Sequence, residues 1–174
     1  MTPSVTESAI LTALRSFLLE ILPAGVEVIK GQANKVAEPV DLDFVVMTPT
    51  NRFRLATNID EWDTADPAPT VITASHSTNI DIQLDIHGPN STDNAQIIAT
   101  LFRDDYGCRN IDQTIFQPLH ASDGHQIPFI NGEGQYEDRW VITISLQANP
   151  SISTNMDFAD TVSATISPIG SVNP

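Results

Sequence analysis

The residues of this chain best suited to metal chemistry are His120, Asp123 and His125, which fall within six positions. A zinc site usually needs three or four such ligands held by firm secondary structure. The surrounding segment is rich in turn-forming residues, and the single cysteine, Cys108, lies apart from it. The sequence therefore favours a solvated loop here, with a small metal-binding enzyme as the alternative.

Nucleophilic and acid–base chemistry finds little support. Cys108 has no base adjacent to it, and Ser75 and His76 are neighbours that would face opposite sides of a strand. Asp81 and Asp85 would share one strand face, where two carboxylates can do acid–base work but are usually only solvated. The chain has no G-x-S-x-G, Walker or dinucleotide fingerprint. We predict no enzyme, no catalytic residue and no cofactor.

The charge of the chain restricts its partners. Eight Lys and Arg stand against 22 Asp and Glu, a formal net charge of −14. A free-standing DNA-binding protein needs the opposite sign, because its cations meet phosphates. The acidity either serves solubility or marks a surface that lies near DNA without holding it. No apolar run is long enough to cross a membrane, and one cysteine cannot form an internal disulfide.

Periodicity predicts the elements of the first third of the chain. Apolar residues at three- and four-residue spacing indicate an amphipathic helix that begins at a capping box over residues 4–7 and ends at Pro23. Strands are predicted at residues 26–30 and 43–47, and Pro49 is predicted to end the second of them.

The next segment predicts a hairpin. Alternating residues at 52–59 and 70–87 indicate two strands of a β-hairpin that extends beyond the core sheet. The acidic, proline-containing stretch 60–69 is predicted as its long tip. A second helix is predicted from a cap at Asn90 or Ser91, and strands are predicted at 140–146 and 158–166.

This order of elements predicts one α+β domain over residues 1–167. We expect a mostly antiparallel sheet with two helices packed on one face and a long protruding β-hairpin. Residues 168–174 are predicted to form a flexible C-terminal tail.

Residues 14–62 resemble the neck-terminator and tail-terminator proteins of tailed bacteriophages. The matching text is LPAGVEVI at 22–29, G-Q-x-N-x-V-x-E-P at 31–39 and DFVVMTP at 43–49. Arg52, Arg54, Leu55, Ala56 and Thr57 continue it. Beyond residue 62 only the order of elements matches. These motifs show no catalytic pattern and serve only as a family signature.

The resemblance implies a structural virion protein that forms a ring, usually hexameric. Such a ring caps the tail tube and joins it to the head-tail connector or stopper protein, and double-stranded DNA passes through its lumen without specific binding. The implied location is the phage neck, after assembly in the host cytoplasm and with no membrane involved. Related roles remain open, namely a head-completion stopper or a sheath-end protein. A negative lumen would repel DNA and let it slide.

Six residues are candidate contacts of such a ring. Arg52 and Arg54 are rare cations of an acidic chain, able to pair with carboxylates of the next subunit or, equally, of the same chain. Trp62 is predicted as an interface anchor in a polar loop, or as a side chain folded back on the core. The carboxylates beside it are candidates for the lumen or for a solvated tip: Asp60, Glu61 and Asp63.

Overall fold

The computed structural model describes residues 1–32, 39, 42–63, 70–130, 134, 136–156 and 163–164 of the chain. Within these ranges the chain forms three helices and eleven strands. In chain order they are α1 (Glu7–Ile21), β1 (Glu27–Lys30), β2 (Phe44–Arg54), β3 (Ile59–Asp63), β4 (Thr70–Ser75), β5 (Thr78–His87), α2 (Ser91–Arg103), α3 (Asp105–Asn110), β6 (Gln117–Ala121), β7 (His125–Gln126), β8 (Phe129–Ile130), β9 (Tyr136–Glu137), β10 (Arg139–Ala148) and β11 (Ser151–Met156). None of the described helices is both long and apolar enough to cross a membrane.

The first helix is capped by Thr6, so the predicted capping box at 4–7 is wrong. The Thr6 hydroxyl accepts a hydrogen bond from the Ala9 N–H at 3.2 Å. Ser4 is engaged elsewhere: its hydroxyl accepts from the Ser151 N–H at 2.9 Å, at the start of β11. A long-range strand contact therefore competes with the local cap for Ser4. The predicted apolar stripe of α1 is buried as expected: Ile10, Leu11, Leu14, Phe17 and Leu18.

The main sheet has the strand order β1-β2-β5-β10-β6, with β7 also paired to β10. The β1–β2 pair is parallel, and the other pairs of this sheet are antiparallel. The observed class is thus α+β with a mostly antiparallel main sheet. Packing of two helices on one face and a protruding hairpin stay predictions.

Pro49 does not end the second strand, contrary to the prediction. β2 continues to Arg54, and its register against β5 shifts between Pro49 and Asn51. A bulge tolerates proline because a ladder hydrogen bond is already lost there. The Thr50 hydroxyl bridges the irregularity by donating to the Asp81 carbonyl oxygen at 3.1 Å. The start of the predicted strand 52–59 is therefore the end of β2.

The core is built on the alternation of β5. Ile80, Ile82, Leu84 and Ile86 are at most 4% exposed and belong to one hydrophobic cluster with the apolar residues of α1 and α2. In that cluster the rings of Phe17 and Phe102 meet edge to face at 6.2 Å.

A third, short helix and a final strand differ from the predictions. The α3 helix follows α2 at once, and the Asp104 carboxylate caps it by accepting from the Tyr106 N–H at 2.9 Å. Near the C-terminus the observed strand is β11, while the predicted strand at 158–166, apart from residues 163–164, lies outside the described residues. The predicted tail at 168–174 and the hairpin tip at 64–69 also lie outside them.

Candidate assembly interface

Three strands, β11, β4 and β3, form a second antiparallel sheet, which we call the arm sheet. It continues the main sheet, because β3 follows β2 after residues 55–58 and β4 precedes β5 by residues 76–77. The Leu55 N–H donates to the Ser77 carbonyl oxygen at 2.9 Å across this junction. No residue of the arm sheet whose exposure is described is fully buried, and all of β3 is exposed.

Strand register sorts the arm sheet into two faces. Trp62 opposes Ile72, and Thr154 opposes Ile72 from the other side. The face that contains this row, the apolar arm face, carries four large hydrophobic side chains: Trp62, Ile72, Ile152 and Met156. The opposite face, which we call the polar arm face, carries the carboxylates Glu61 and Asp63 and the hydroxyls Thr73 and Ser153, together with two apolar side chains, Ile59 and Val71. On it the Thr73 and Ser153 hydroxyls lie 2.8 Å apart.

The apolar arm face is open to solvent. Trp62 is 52% exposed, Met156 43% and Ile152 41%. A contiguous exposed apolar patch usually marks an interaction surface, and a small sheet needs a covering layer to be stable. In the described part of the chain β3 is also an edge strand, and such an edge can accept a further strand from another chain. The arm sheet can therefore bind a partner through a face, through an edge, or through both.

The structure corrects the predicted surroundings of Trp62 and its neighbours. Residues 60–63 belong to β3 and not to a loop. Because side chains alternate along a strand, Asp60 shares the apolar arm face with Trp62, while Glu61 and Asp63 lie together on the polar arm face. The three predicted carboxylates therefore do not form one group.

Arg52 and Arg54 lie at the end of β2, opposite Ile80 and Thr78 of β5. Both are exposed and two residues apart, so they share a strand face as predicted. Within the described part of the chain, neither guanidinium forms an ion pair. Their pairing with another subunit stays a prediction.

The predicted loop of histidines is instead a pair of edge strands. His120 lies on β6 opposite Ser145, and His125 lies on β7 opposite Val141. Ser145 and Val141 are four positions apart on β10, which is roughly 13 Å along an extended strand. Such a separation prevents the two imidazoles from sharing one ion. Across the described residues, no three His, Cys, Asp or Glu side chains come close enough to hold a metal.

A polar ladder on β5 was missed by sequence reasoning, which treated Asp81 and Asp85 as solvated. Asp85 is 6% exposed and pairs with Arg139, whose Nε lies 3.0 Å from its Oδ1. The Gln83 amide donates to both oxygens of Asp85 at 3.0 Å. Asp81 accepts from the Ser145 hydroxyl at 2.6 Å. One feature of the sequence could have indicated this pair: Arg139 is one of the few cations of the chain and lies at the start of a clearly patterned strand.

His87 lies at the end of this ladder, and its surroundings predict that the stability of the fold depends on pH. Its ring stacks on Phe44 with centroids 4.6 Å apart. Burial lowers the pKa of His87 from 6.5, and the positive charge of Arg139 lowers it further, against the opposing effects of Asp85 and Glu137. The folded chain therefore holds this proton less tightly than the unfolded chain. The stability due to neutral His87 is full above pH 6.5 and is lost as the pH falls towards the lower folded pKa.

We expect His87→Gln to remove part of the acid sensitivity of folding, because glutamine does not titrate. The measurement is the free energy of unfolding at about pH 7.5 and about pH 5.5, from denaturant titrations. The difference between the two values should be smaller in the variant than in the parent. His120→Gln, at an exposed position, is the control and should leave the difference unchanged. Equal differences in His87→Gln and the parent would contradict the prediction.

Comparison with known proteins supplies the identity. A family profile described as phage neck terminator protein matches residues 8–170, nearly the whole chain. No curated protein matches the sequence. The match extends well beyond the segment 14–62 that carries the sequence resemblance. The chain therefore belongs to the phage neck terminator protein family and is a structural component of a bacteriophage virion.

Proposed function

We propose that this chain forms a hexameric ring in the phage neck. The ring caps the tail tube, joins it to the head-tail connector or stopper protein, and lets double-stranded DNA pass through its lumen. It assembles in the host cytoplasm. The observation that carries the proposal is the family match over residues 8–170. It is combined with an arm sheet that exposes an apolar face and whose outer strand, β3, pairs on one side only among the described residues.

The two kinds of arm surface suit a ring. Closed rings are built from heterologous contacts, in which one patch of a subunit meets a different patch of the next. The apolar arm face offers Trp62, and the base of the arm offers the exposed cations Arg52 and Arg54. In a chain with net charge −14, two exposed cations are complementary to carboxylate-rich surfaces of a second copy. We therefore assign Trp62, Arg52 and Arg54 to the contact with the next subunit or the tube.

The acidic side of the arm suits the lumen. Glu61 and Asp63 share the polar arm face with hydroxyl groups and with the apolar Ile59 and Val71, and none of these side chains presents a cation to a phosphate. A surface of this composition repels DNA and resists its adhesion. We assign the lumen role to Glu61 and Asp63, and we place Asp60 at the rim of the apolar contact because it shares the face of Trp62.

The proposal is tested by adding the purified chain to tail tubes and to connectors of the same phage. Light scattering gives the mass of the assembly, and electron microscopy of tubes shows whether their ends are capped and their growth stops. A ring, formed alone or on the tube end, is the expected result. A monomer that ignores both tube and connector would overturn the proposal. Binding to the connector with no affinity for the tube would instead favour a head-completion stopper, and binding to sheath ends would favour a sheath-end protein.

A further inference from the structure

A groove of about 630 Å³, which we call the α1 groove, runs along one side of the first helix. One wall is the helix itself from Thr6 to Glu20, roughly 21 Å at 1.5 Å per residue. The other wall is formed by residues of the segment 110–115. The buried and half-buried residues that line the groove are mostly apolar: Ala9, Ala13, Phe17 and Ile115. A groove of this size and composition can accept a large apolar side chain of a partner.

Two carboxylates at the rim of the α1 groove are held in place by neutral donors. Glu20 Oε1 accepts from the Tyr106 hydroxyl at 2.8 Å. Asp112 Oδ1 accepts from the Thr114 hydroxyl at 2.7 Å and from the Thr114 N–H at 2.9 Å, and these hydrogen bonds hold the pKa of Asp112 below its usual value. Both carboxylates are exposed, and within the described part of the chain neither pairs with Lys or Arg. The described lining of the groove contains no Lys or Arg, so its rim is negative.

The base of the arm sheet carries the opposite charge. Four cations of the described chain pair with carboxylates, and Arg15 donates to the Val28 carbonyl oxygen at 2.9 Å. Arg52 and Arg54 are exposed, and among the described residues neither of them has a carboxylate partner. Farther along the same arm, Trp62 is 52% exposed on the apolar arm face. The arm thus joins two cations to a large apolar surface, and the α1 groove is complementary to both.

Charge and symmetry select a second copy as the occupant of the groove. A contact between these two different surfaces is heterologous, so it can repeat from one copy to the next and close a ring. Contact between two arms would be isologous, would close a dimer and would leave the arginines away from Glu20 and Asp112. Two grooves cannot pair with each other, because both rims are negative. The arm of a second copy is the occupant that satisfies the apolar lining and the charged rim together.

We propose that the arm sheet of one subunit lies in the α1 groove of the next. The indole of Trp62 enters the groove, and the guanidinium groups at the base of the arm approach Glu20 and Asp112. Trp62 is eight positions from Arg54, at most roughly 26 Å of extended chain, which is enough to span the groove. That the partner is a second copy in a ring rests on the proposed function, whereas the complementarity of the two surfaces rests on the structure.

The test is a site-specific cross-link in a Cys108→Ser background, which removes the exposed native thiol. Asp60→Cys places a thiol beside Trp62 on the apolar arm face, and Ser16→Cys places one on the exposed wall of the groove. When the two variants are mixed, with tail tubes added if the ring forms only there, a short bis-maleimide should yield covalent dimers of one chain of each kind. A chain that carries both thiols should yield a ladder of covalent oligomers. The matched control is Thr92→Cys in place of Ser16→Cys, an exposed position outside the groove that should give no cross-link.

Charge reversal gives a second readout that needs no added thiol. Glu20→Arg should weaken assembly about tenfold or more, because it sets a cation against the arginines of the neighbouring arm. Combining it with Arg52→Glu and Arg54→Glu should restore much of the loss. Asp93→Arg makes the same change of charge at an exposed position outside the groove, so it should assemble at least as well as the parent.

The possible outcomes separate this contact from the ring itself. Capped tubes with no cross-link between positions 60 and 16, and no effect of Glu20→Arg, would overturn the contact and leave the ring function standing. Cross-links of Asp60→Cys to itself or to the tube protein, in place of Ser16→Cys, would also overturn the contact. Oligomers that show the expected cross-link but neither cap tubes nor bind connectors would support the contact and overturn the neck function.

Discussion

Replacement of Arg139 by methionine is expected to lower the free energy of unfolding by about 3–5 kcal/mol, because a buried carboxylate then loses its cation. The side chain of Asp85 is 8% exposed and that of Arg139 is 25% exposed. Methionine retains most of the apolar stem of arginine, so the loss reports on the charge and not on packing. Chemical denaturation of the isolated chain measures it through the midpoint and slope.

Two controls separate the buried pair from ion pairs in general. Arg109→Met removes the partner of Asp105 in a pair whose side chains are 76% and 64% exposed, and should barely move the midpoint. The double variant Asp85→Leu/Arg139→Met removes both charges, so it should recover much of the stability lost in Arg139→Met alone. A single variant that loses less than about 1 kcal/mol would show that water enters this face and supports Asp85 without Arg139.

The pair of Asp85 and Arg139 also shows which kind of contact cannot be predicted from the sequence. The spacing of apolar residues was sufficient for α1, α2 and β10. It predicted a single strand over residues 70–87, where the structure has β4 and β5 in two different sheets. The pairing of Asp85 with Arg139 depends on the register between β5 and β10, two strands separated by the whole of α2 and α3. Local periodicity says which face a residue occupies and leaves its cross-strand neighbour undetermined.

Strand β3 escaped prediction for a related reason. Residues 59–63 are rich in Asp and Glu, which are poor strand formers, so their composition resembled a loop. Pairing with β4 overrides that preference, and the alternation that separates Glu61 and Asp63 from Trp62 becomes visible only in the strand. The rule that proline ends a strand failed at Pro49 because the strand has a bulge there, where the sheet does not need the N–H that proline lacks. The family signature at 14–62, by contrast, required no knowledge of pairing.

Trp62→Ala is expected to weaken ring formation or tube capping by about 30-fold or more per contact, the effect typical of a tryptophan at an interface hot spot. The same variant should leave the stability of the isolated chain nearly unchanged, because the side chain is 52% exposed and lies outside the hydrophobic core cluster. Light scattering over a range of protein concentrations measures assembly, and denaturation of the isolated chain measures stability.

The matched control is Tyr136→Ala, which removes an aromatic side chain that is 80% exposed on β9, away from the arm sheet. If exposure of any aromatic group promoted association, both variants would assemble poorly; if the apolar arm face is the contact, only Trp62→Ala does. Loss of stability in Trp62→Ala with assembly intact would instead indicate that the indole supports the arm sheet of its own subunit.

Because Arg52 and Arg54 lie at the base of the same arm, their replacement should make assembly less dependent on salt, whereas Trp62→Ala should leave the salt dependence as it is. A salt titration of these variants can thus distinguish the charged part of the interface from its apolar part.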